Sequence, residues 1–404
     1  MAAEYIMYAG PGGTYVTLHA WIASLSGIDF TAAGTGVFPT SSYGGLVSPG
    51  DSVIGGTSGA TATCKGWSSS GYANILLTGI SGTFQSGEQV RKVGTPTSYV
   101  TITSAGTLGT AGITPVAETT TSGTTDSTST SLTGYTANAT ILRAKAGMEA
   151  TSPLDGANYT KYGTTGTLLT IAVPNVTIEH IQFYGGSFGN PTCLLLTAAN
   201  VIVDSCYFAG NTFYGGKGIY INDSDGSGFE IRNCGFSWLQ DSTIIDVNCA
   251  AGGCLIANCT INKGDRGIQQ AGNGMVKVVN TIVWNTDLED FDTTYTWASG
   301  SDYNFSKDAS APGAHSIHGT ADGKVPDFVT ATEASTNIHL DVDSDAFDPA
   351  GIGPGADSDV PTVDFEGTPR AGSTADIGFD QVSAAATTTS STTTSTTSST
   401  TTSS

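Results

Sequence analysis

Between residues 175 and 283 the hydrophobic positions fall into a recurring pattern. Five segments align without gaps: NVTIEHIQF from Asn175, NVIVDSCYF from Asn200, GFEIRNCGF from Gly228, GCLIANCTI from Gly253 and MVKVVNTIV from Met275. Their starts are 25, 28, 25 and 22 residues apart. Ile178, Val203, Ile231, Ile256 and Val278 share one column. Ile181, Cys206, Cys234, Cys259 and Thr281 share a second, and Phe183, Phe208, Phe236, Ile261 and Val283 a third. Apolar residues at alternating spacing, recurring every 22–28 residues, predict short strands stacked by a coiling chain. A further strand per repeat is visible in CLLLTA (193–198), GIYIND (218–223), TIIDVN (243–248) and GIQQAG (267–272). Two or three short strands per turn, with Gly- and Asn-rich corners, describe a right-handed parallel β-helix.

The column before the cysteines reads His180, Ser205, Asn233, Asn258, Asn280. Stacked Asn at a tight corner tolerates left-handed backbone and bonds along the stack, so Asn233, Asn258 and Asn280 are expected to form a structural ladder. Cys206, Cys234 and Cys259 are expected to be small apolar fillers of one internal stack. Ligands one rung apart on a single column do not surround a tetrahedral zinc, so no metal is expected there. Cys249 and Cys254 are five apart and could be bridged, but with seven scattered cysteines and no export signal, reduced thiols are the expectation.

Upstream, YAGPGGTYVTLHAWIASLSG (8–27) predicts an opening strand and a short amphipathic helix covering the first open rung. GDSVIGGTSGATATCKGWSSSGYANILLTGISGTFQSGEQVRKVG (50–94) alternates strands with Gly turns and predicts a small β-domain. The division read from these patterns is an entry segment over 1–45, the β-domain over 46–112, a Thr/Ser-rich linker over 113–140, the β-helix with its closing segment over 141–382, and a Ser/Thr arm over 383–404. The arm contains only Ser, Ala and Thr and supplies no large side chain to a core.

Composition narrows the partners. Of 404 residues only 12% are charged, and 35 acidic against 14 basic residues leave a net charge of −21. Phosphate neutralisation needs clustered Lys and Arg, so a nucleic-acid binder is excluded, and docking on anionic membranes is disfavoured. The first twenty residues lack the basic and apolar regions of a secretory signal, which predicts assembly in a cytoplasm.

The candidate chemistry is sparse. GPGG (10–13) and GGTSGAT (55–61) lack the Lys of a phosphate loop and read as turns. Asp341, Asp343 and Asp345 alternate like a calcium loop, but Ala346 and Ile352 stand where an EF-hand needs Gly and Glu. His315, His318 and His339 read as surface or capping residues. The outward column Glu179, Asp204, Arg232, Ala257, Val279 is the best catalytic candidate. Adjacent rungs lie about 4.8 Å apart, so Glu179 and Asp204 would adjoin, near the spacing of a retaining glycosidase pair. Tyr207, Trp238 and Trp284 are the candidate sugar-stacking faces. The competing reading is a charge ladder in which Arg232 relieves carboxylate repulsion. No cofactor is expected.

The repeats resemble the pectin-lyase-like right-handed β-helices. The segment from Ser301 is similar to the closing turns of β-helix surface proteins, with Asp364, Gly367, Pro369 and Arg370 preceding an end-piece of Asp376, Ile377 and Gly378. The module "GGTSGATAT … ILLTGISGTFQSGE" is similar to short β-modules of tailed-phage virion proteins. These resemblances imply a structural virion component, a decoration, appendage or fibre-like protein, assembled in the host cytoplasm. Its partners would be other virion proteins and copies of itself, in a homo-oligomer such as a trimer. A glycan-binding or glycan-cleaving tailspike that contacts host surface glycan is the alternative, and a bacterial surface adhesin a second.

Overall fold

The computed structural model describes residues 3–9, 17–45, 47–68, 73–119, 125–144, 160–163, 165–185, 191–210 and 216–326, and beyond them Phe328, 338–340, Ser344, 362–365, 369–370 and 376–379. Two parallel sheets coil into a right-handed β-helix of about 6 turns. The first sheet runs Ala3–Ala9, Ile113–Thr119, Thr140–Ala144, Val176–Glu179, Val201–Asp204, Phe229–Arg232, Cys254–Ala257 and Val276–Val279 in spatial order. The second carries the remaining rung strands, among them Gln182–Gly185, Tyr207–Ala209, Gly235–Asn248, Thr260–Gln270 and Ile282–Phe291.

Each aligned column of the sequence is a register column of the fold. Ile178, Val203, Ile231, Ile256 and Val278 pair rung to rung and are fully buried. Inside the second sheet, Phe183, Phe208 and Phe236 stack at 4.8 and 4.7 Å between ring centroids, with nearly parallel ring planes. Rung spacing and offset ring stacking demand the same separation, so a Phe column suits a parallel coil. Corners are set by left-handed residues: His180, Ser205, Asn233, Asn258 and Asn280 all have φ between 50° and 54°. Asn tolerates this region because its short side chain bonds locally.

The first rung is covered by the helix Leu18–Leu25. Thr17 caps it by accepting from the Ala20 amide at 3.1 Å, and Leu18, Trp21, Ile22 and Leu25 form its buried stripe. At the other end, Ala298 and Asp302 donate their amides to Val276 and Val278, so the last strand of the first sheet is paired rather than open.

The small β-domain is a closed barrel. Gly36–Gly44 pairs with both Asn74–Ser81 and Thr95–Ile102, and this closes a ring through Thr61–Ser68, Ser52–Gly55 and Gln89–Lys92. The barrel therefore begins at Gly36, ahead of the boundary at 46 that the glycine pattern suggests. Ile113–Thr119, inside the stretch read as a linker, is instead a rung strand paired with Ala3–Ala9 and Thr140–Ala144. Thr and Ser composition masks the alternation of ITPVAET; β-branched residues fit a pleated, buried strand. The barrel is thus an insertion between the first two rungs.

The described residues between 362 and 379 lie along the outside of the coil. Phe365, Ile377 and Phe379 pack with Tyr207, Ile282, Trp284 and Phe305, which face outward from the second sheet. Gly378, at φ 103°, lies so close to Thr260 and Ile282 that a Cβ there would clash. The arm at 383–404 and Asp341, Asp343 and Asp345 lie outside the described residues.

Candidate functional site

The strand ends of the first sheet place one outward side chain per rung just before the left-handed corner. The resulting column runs Glu118, Arg143, Glu179, Asp204, Arg232. Glu179 and Asp204 are direct register partners on adjacent rungs. Above Arg232 the column continues as Ala257 and Val279, both fully buried.

The charges pair along the column. Arg143 reaches Glu118 at 2.7 Å and Glu4 at 3.0 Å. Arg232 places Nε 2.8 Å from Asp204 Oδ2 and Nη1 3.2 Å from Glu230. Asp204 Oδ1 accepts from Ser205 Oγ at 3.0 Å and Asn233 Nδ2 at 3.2 Å. Both of its oxygens are engaged. Burial, and then the neighbouring charge of Asp204, push the Glu179 carboxyl up, against the opposing influence of His180, Arg143 and Arg232. A raised carboxyl beside one held by a guanidinium is the contrast an acid/base pair needs. The space is not: the cavity above them is about 230 Å³ and is walled by Val363 and Asp364 of the closing segment. Ligand pockets run from about 300 Å³ upward.

The three aromatics do not present faces to solvent. Tyr207 is fully buried and donates its hydroxyl to Ser237 Oγ at 2.8 Å. Trp238 is 7% exposed, and Trp284 is 9% exposed with Phe305 edge-on at 5.6 Å. A sugar platform needs an open ring face, and in this structure these rings pack within the protein instead. The closing segment accounts for Tyr207 and Trp284, since it packs in the same cluster.

Cys206, Cys234 and Cys259 occupy one internal stack with their thiols aimed at main-chain carbonyls, for example Cys234 Sγ to Arg232 O at 3.2 Å. All seven cysteines are buried and unbridged, Cys249 and Cys254 included. In the asparagine column, Asn280 Nδ2 donates to Asn258 Oδ1 at 2.7 Å and Asn233 Nδ2 to Asp204. These two bonds point toward the N-terminal rungs, but the run is interrupted between them, where Asn258 Nδ2 and Asn233 Oδ1 are buried without a hydrogen-bond partner. A second ladder stands at the opposite corner, where Asn200 Nδ2 donates to Asn175 Oδ1 at 3.1 Å. Among the described residues no His, Cys, Asp or Glu group is arranged to hold a metal ion.

A cluster that the sequence pattern does not single out lies on Ile282–Phe291. Asp290 is buried, and accepts from Thr286 Oγ1 at 2.6 Å and from the Lys307 and Asp308 amides at 2.6 and 3.1 Å. Burial raises its carboxyl to about 6; the Thr286 bond opposes this and Asp308 adds to it. A groove of about 440 Å³ adjoins it, bordered by Leu288, Ala309 and Thr320. The acidic run DLEDF is the available signal, but only the fold brings Asp308 beside it. His315 pairs with Asp302 at 2.6 Å and stacks on Tyr303 at 5.0 Å, in keeping with a surface residue. GGTSGAT is a turn whose amides at Thr57 and Ser58 are taken by the Glu88 carboxylate.

No known protein family, curated protein or solved structure matches this chain.

Proposed function

We propose that this protein is a structural component of a tailed-phage particle, a decoration, appendage or fibre-like element that presents a rigid β-helix. The observation that carries this reading is the state of Asp204. Its carboxylate is bound by Arg232, Ser205 and Asn233, which suits a charge ladder that holds rungs in register. A nucleophile or base in that position would need a free oxygen and room for substrate. The buried Tyr207, Trp238 and Trp284 agree with a shaft rather than a sugar-binding groove. Partners under this reading are neighbouring virion proteins and further copies of the chain, with the 383–404 arm as the reaching segment, and the location is the virion. The resemblance of the barrel segment to tailed-phage β-modules supports the phage setting over a bacterial adhesin.

A tailspike that binds or cleaves host glycan is the second reading. The groove beside Asp290 favours it, because a buried carboxyl raised to about 6 borders open space there. Host polysaccharide incubated with purified protein separates the two. Under the structural reading there is no turnover, and Glu179→Gln with Asp204→Asn changes nothing in that assay. Wild-type turnover lost in the double variant would establish the enzyme instead, and turnover lost only in Asp290→Asn would place it in the groove.

A further inference from the structure

Glu179 is a half-buried carboxylate that makes no hydrogen bond or ion pair among the described residues. The guanidinium on the rung below, Arg143, is held by Glu118 and Glu4. The next guanidinium along the column, Arg232, is held by Asp204 and Glu230. Across a small cavity the closing segment sets Asp364 opposite Glu179, His180 and Asp204, and its Phe365 ring stands 6.4 Å from the His180 ring. Asp364 is 2% exposed. Among the described residues around this seam, Glu4, Glu118, Glu179, Asp204, Glu230, Asp364 and Asp376 are set against Arg143, Arg232, Arg370 and the His180 imidazole, so acidic groups outnumber basic ones.

We propose that the closing segment is an acid-strengthened latch: it holds to the β-helix most firmly when Glu179 carries a proton, and its hold weakens as pH rises. With the segment in place Glu179 is half-buried and shares a pocket with two other carboxylates. With the segment lifted it is solvated. Protons therefore bind the latched state more readily, and by linkage proton uptake favours latching. Glu179's carboxyl is raised in the latched state, so its contribution is complete below the usual carboxylate range and is lost as pH climbs through the raised value. Lifting the segment would uncover the apolar outer column of Tyr207, Ile282, Trp284 and Phe305, a surface suited to packing against another protein.

Three amides report directly on the latch: Phe365 N–H donates to Phe379 O at 3.1 Å, Gly378 N–H to Asn280 O at 2.9 Å and Phe379 N–H to Thr260 Oγ1 at 3.1 Å. Hydrogen exchange of these amides in the full chain, corrected for intrinsic rates, gives the opening equilibrium. As pH rises from the usual carboxylate range to neutrality, opening should increase at least about twofold. Glu179→Gln should flatten that rise and leave exchange at Val203 and Ile231 unchanged. Glu179→Ala, which removes the carboxyl without adding an amide, should flatten it equally, so a folding defect in one variant does not decide the result. Opening that is independent of pH, that falls as pH rises, or that keeps the wild-type slope in both variants overturns the latch.

Discussion

The guanidinium of Arg370 donates to the main-chain carbonyl of Asp376 at 3.1 Å, and the same side chain donates to Gly378 O at 2.8 Å. Asp376 O also accepts from Asn280 Nδ2 at 2.9 Å. The Pro-Arg segment and the Asp-Ile-Gly end-piece are thus two halves of one clasp, and the clasp is tied to the last rung of the asparagine ladder. Arg suits this position because its planar fork reaches two carbonyls at once.

Arg370→Met should loosen the clasp while leaving the coil folded. Hydrogen bonds from a charged donor contribute about 1.5–3 kcal/mol each, so a loss of roughly 2–4 kcal/mol is expected once repacking offsets part of it. The loss should appear as faster exchange at Gly378 and Phe379 with little change at Val203. Arg370→Lys, which cannot reach both carbonyls, should fall between.

Truncating the aromatic stack should be felt by the whole coil. Phe208 lies between Phe183 and Phe236 and is fully buried. Phe208→Ala removes both ring contacts and opens a cavity, at a cost of about 3–5 kcal/mol. Phe208→Leu should cost less than half of that. Thermal or denaturant unfolding of the two variants provides the comparison.

The repeat columns are legible in the sequence because a parallel coil gives each position one structural role. Ile178, Cys206 and Phe236 stand where gapless alignment places them. The barrel boundary is less legible, because Gly36–Gly44 reads as the tail of the entry segment until its two partners, Asn74–Ser81 and Thr95–Ile102, are known. Burial of Tyr207 and Trp284 is not legible at all. Both point outward from their strands, and residues distant in sequence cover them, Phe305 and Gly319 beside Trp284 and, further downstream, Phe365, Ile377 and Phe379 in the same cluster. The same non-local contact encloses Glu179. The repeat spacing brings the two carboxylates together, but nothing in it foretells that Asp364 stands opposite them.

The thiols should be present but silent. Burial pushes Cys193 and Cys64 up to about 12 and Cys206 well above the usual range. At neutral pH the thiolate fraction at Cys193 is then on the order of 10⁻⁵, far too small for ready alkylation. Native protein should therefore label only as fast as it opens, and denatured protein should give seven equivalents. Fewer than seven would reveal a disulfide and contradict the reduced stack.

Acid should act on the barrel in the sense opposite to its action on the closing segment. Burial alone would raise the Glu88 carboxyl, but hydrogen bonds from Ser58, Gln85 and Thr57 outweigh it and hold the group below its usual range. These bonds fix the Gly-rich turn against the strand Gln89–Lys92; Thr57 and Ser58 amides approach Oε2 at 3.1 and 3.0 Å. A depressed carboxyl contributes stability above its unfolded value and loses it as pH falls through the folded one. Barrel amides such as Val53 and Val100 should therefore exchange faster toward acid, while Gly378 and Phe379 slow. Glu88→Gln replaces one acceptor oxygen with a donor and should cost about 1–3 kcal/mol at neutral pH, with the acid dependence of the barrel largely removed. Parallel movement of barrel and closing segment over the same titration would mean that a shared global opening, rather than these two local carboxylates, sets the pH response.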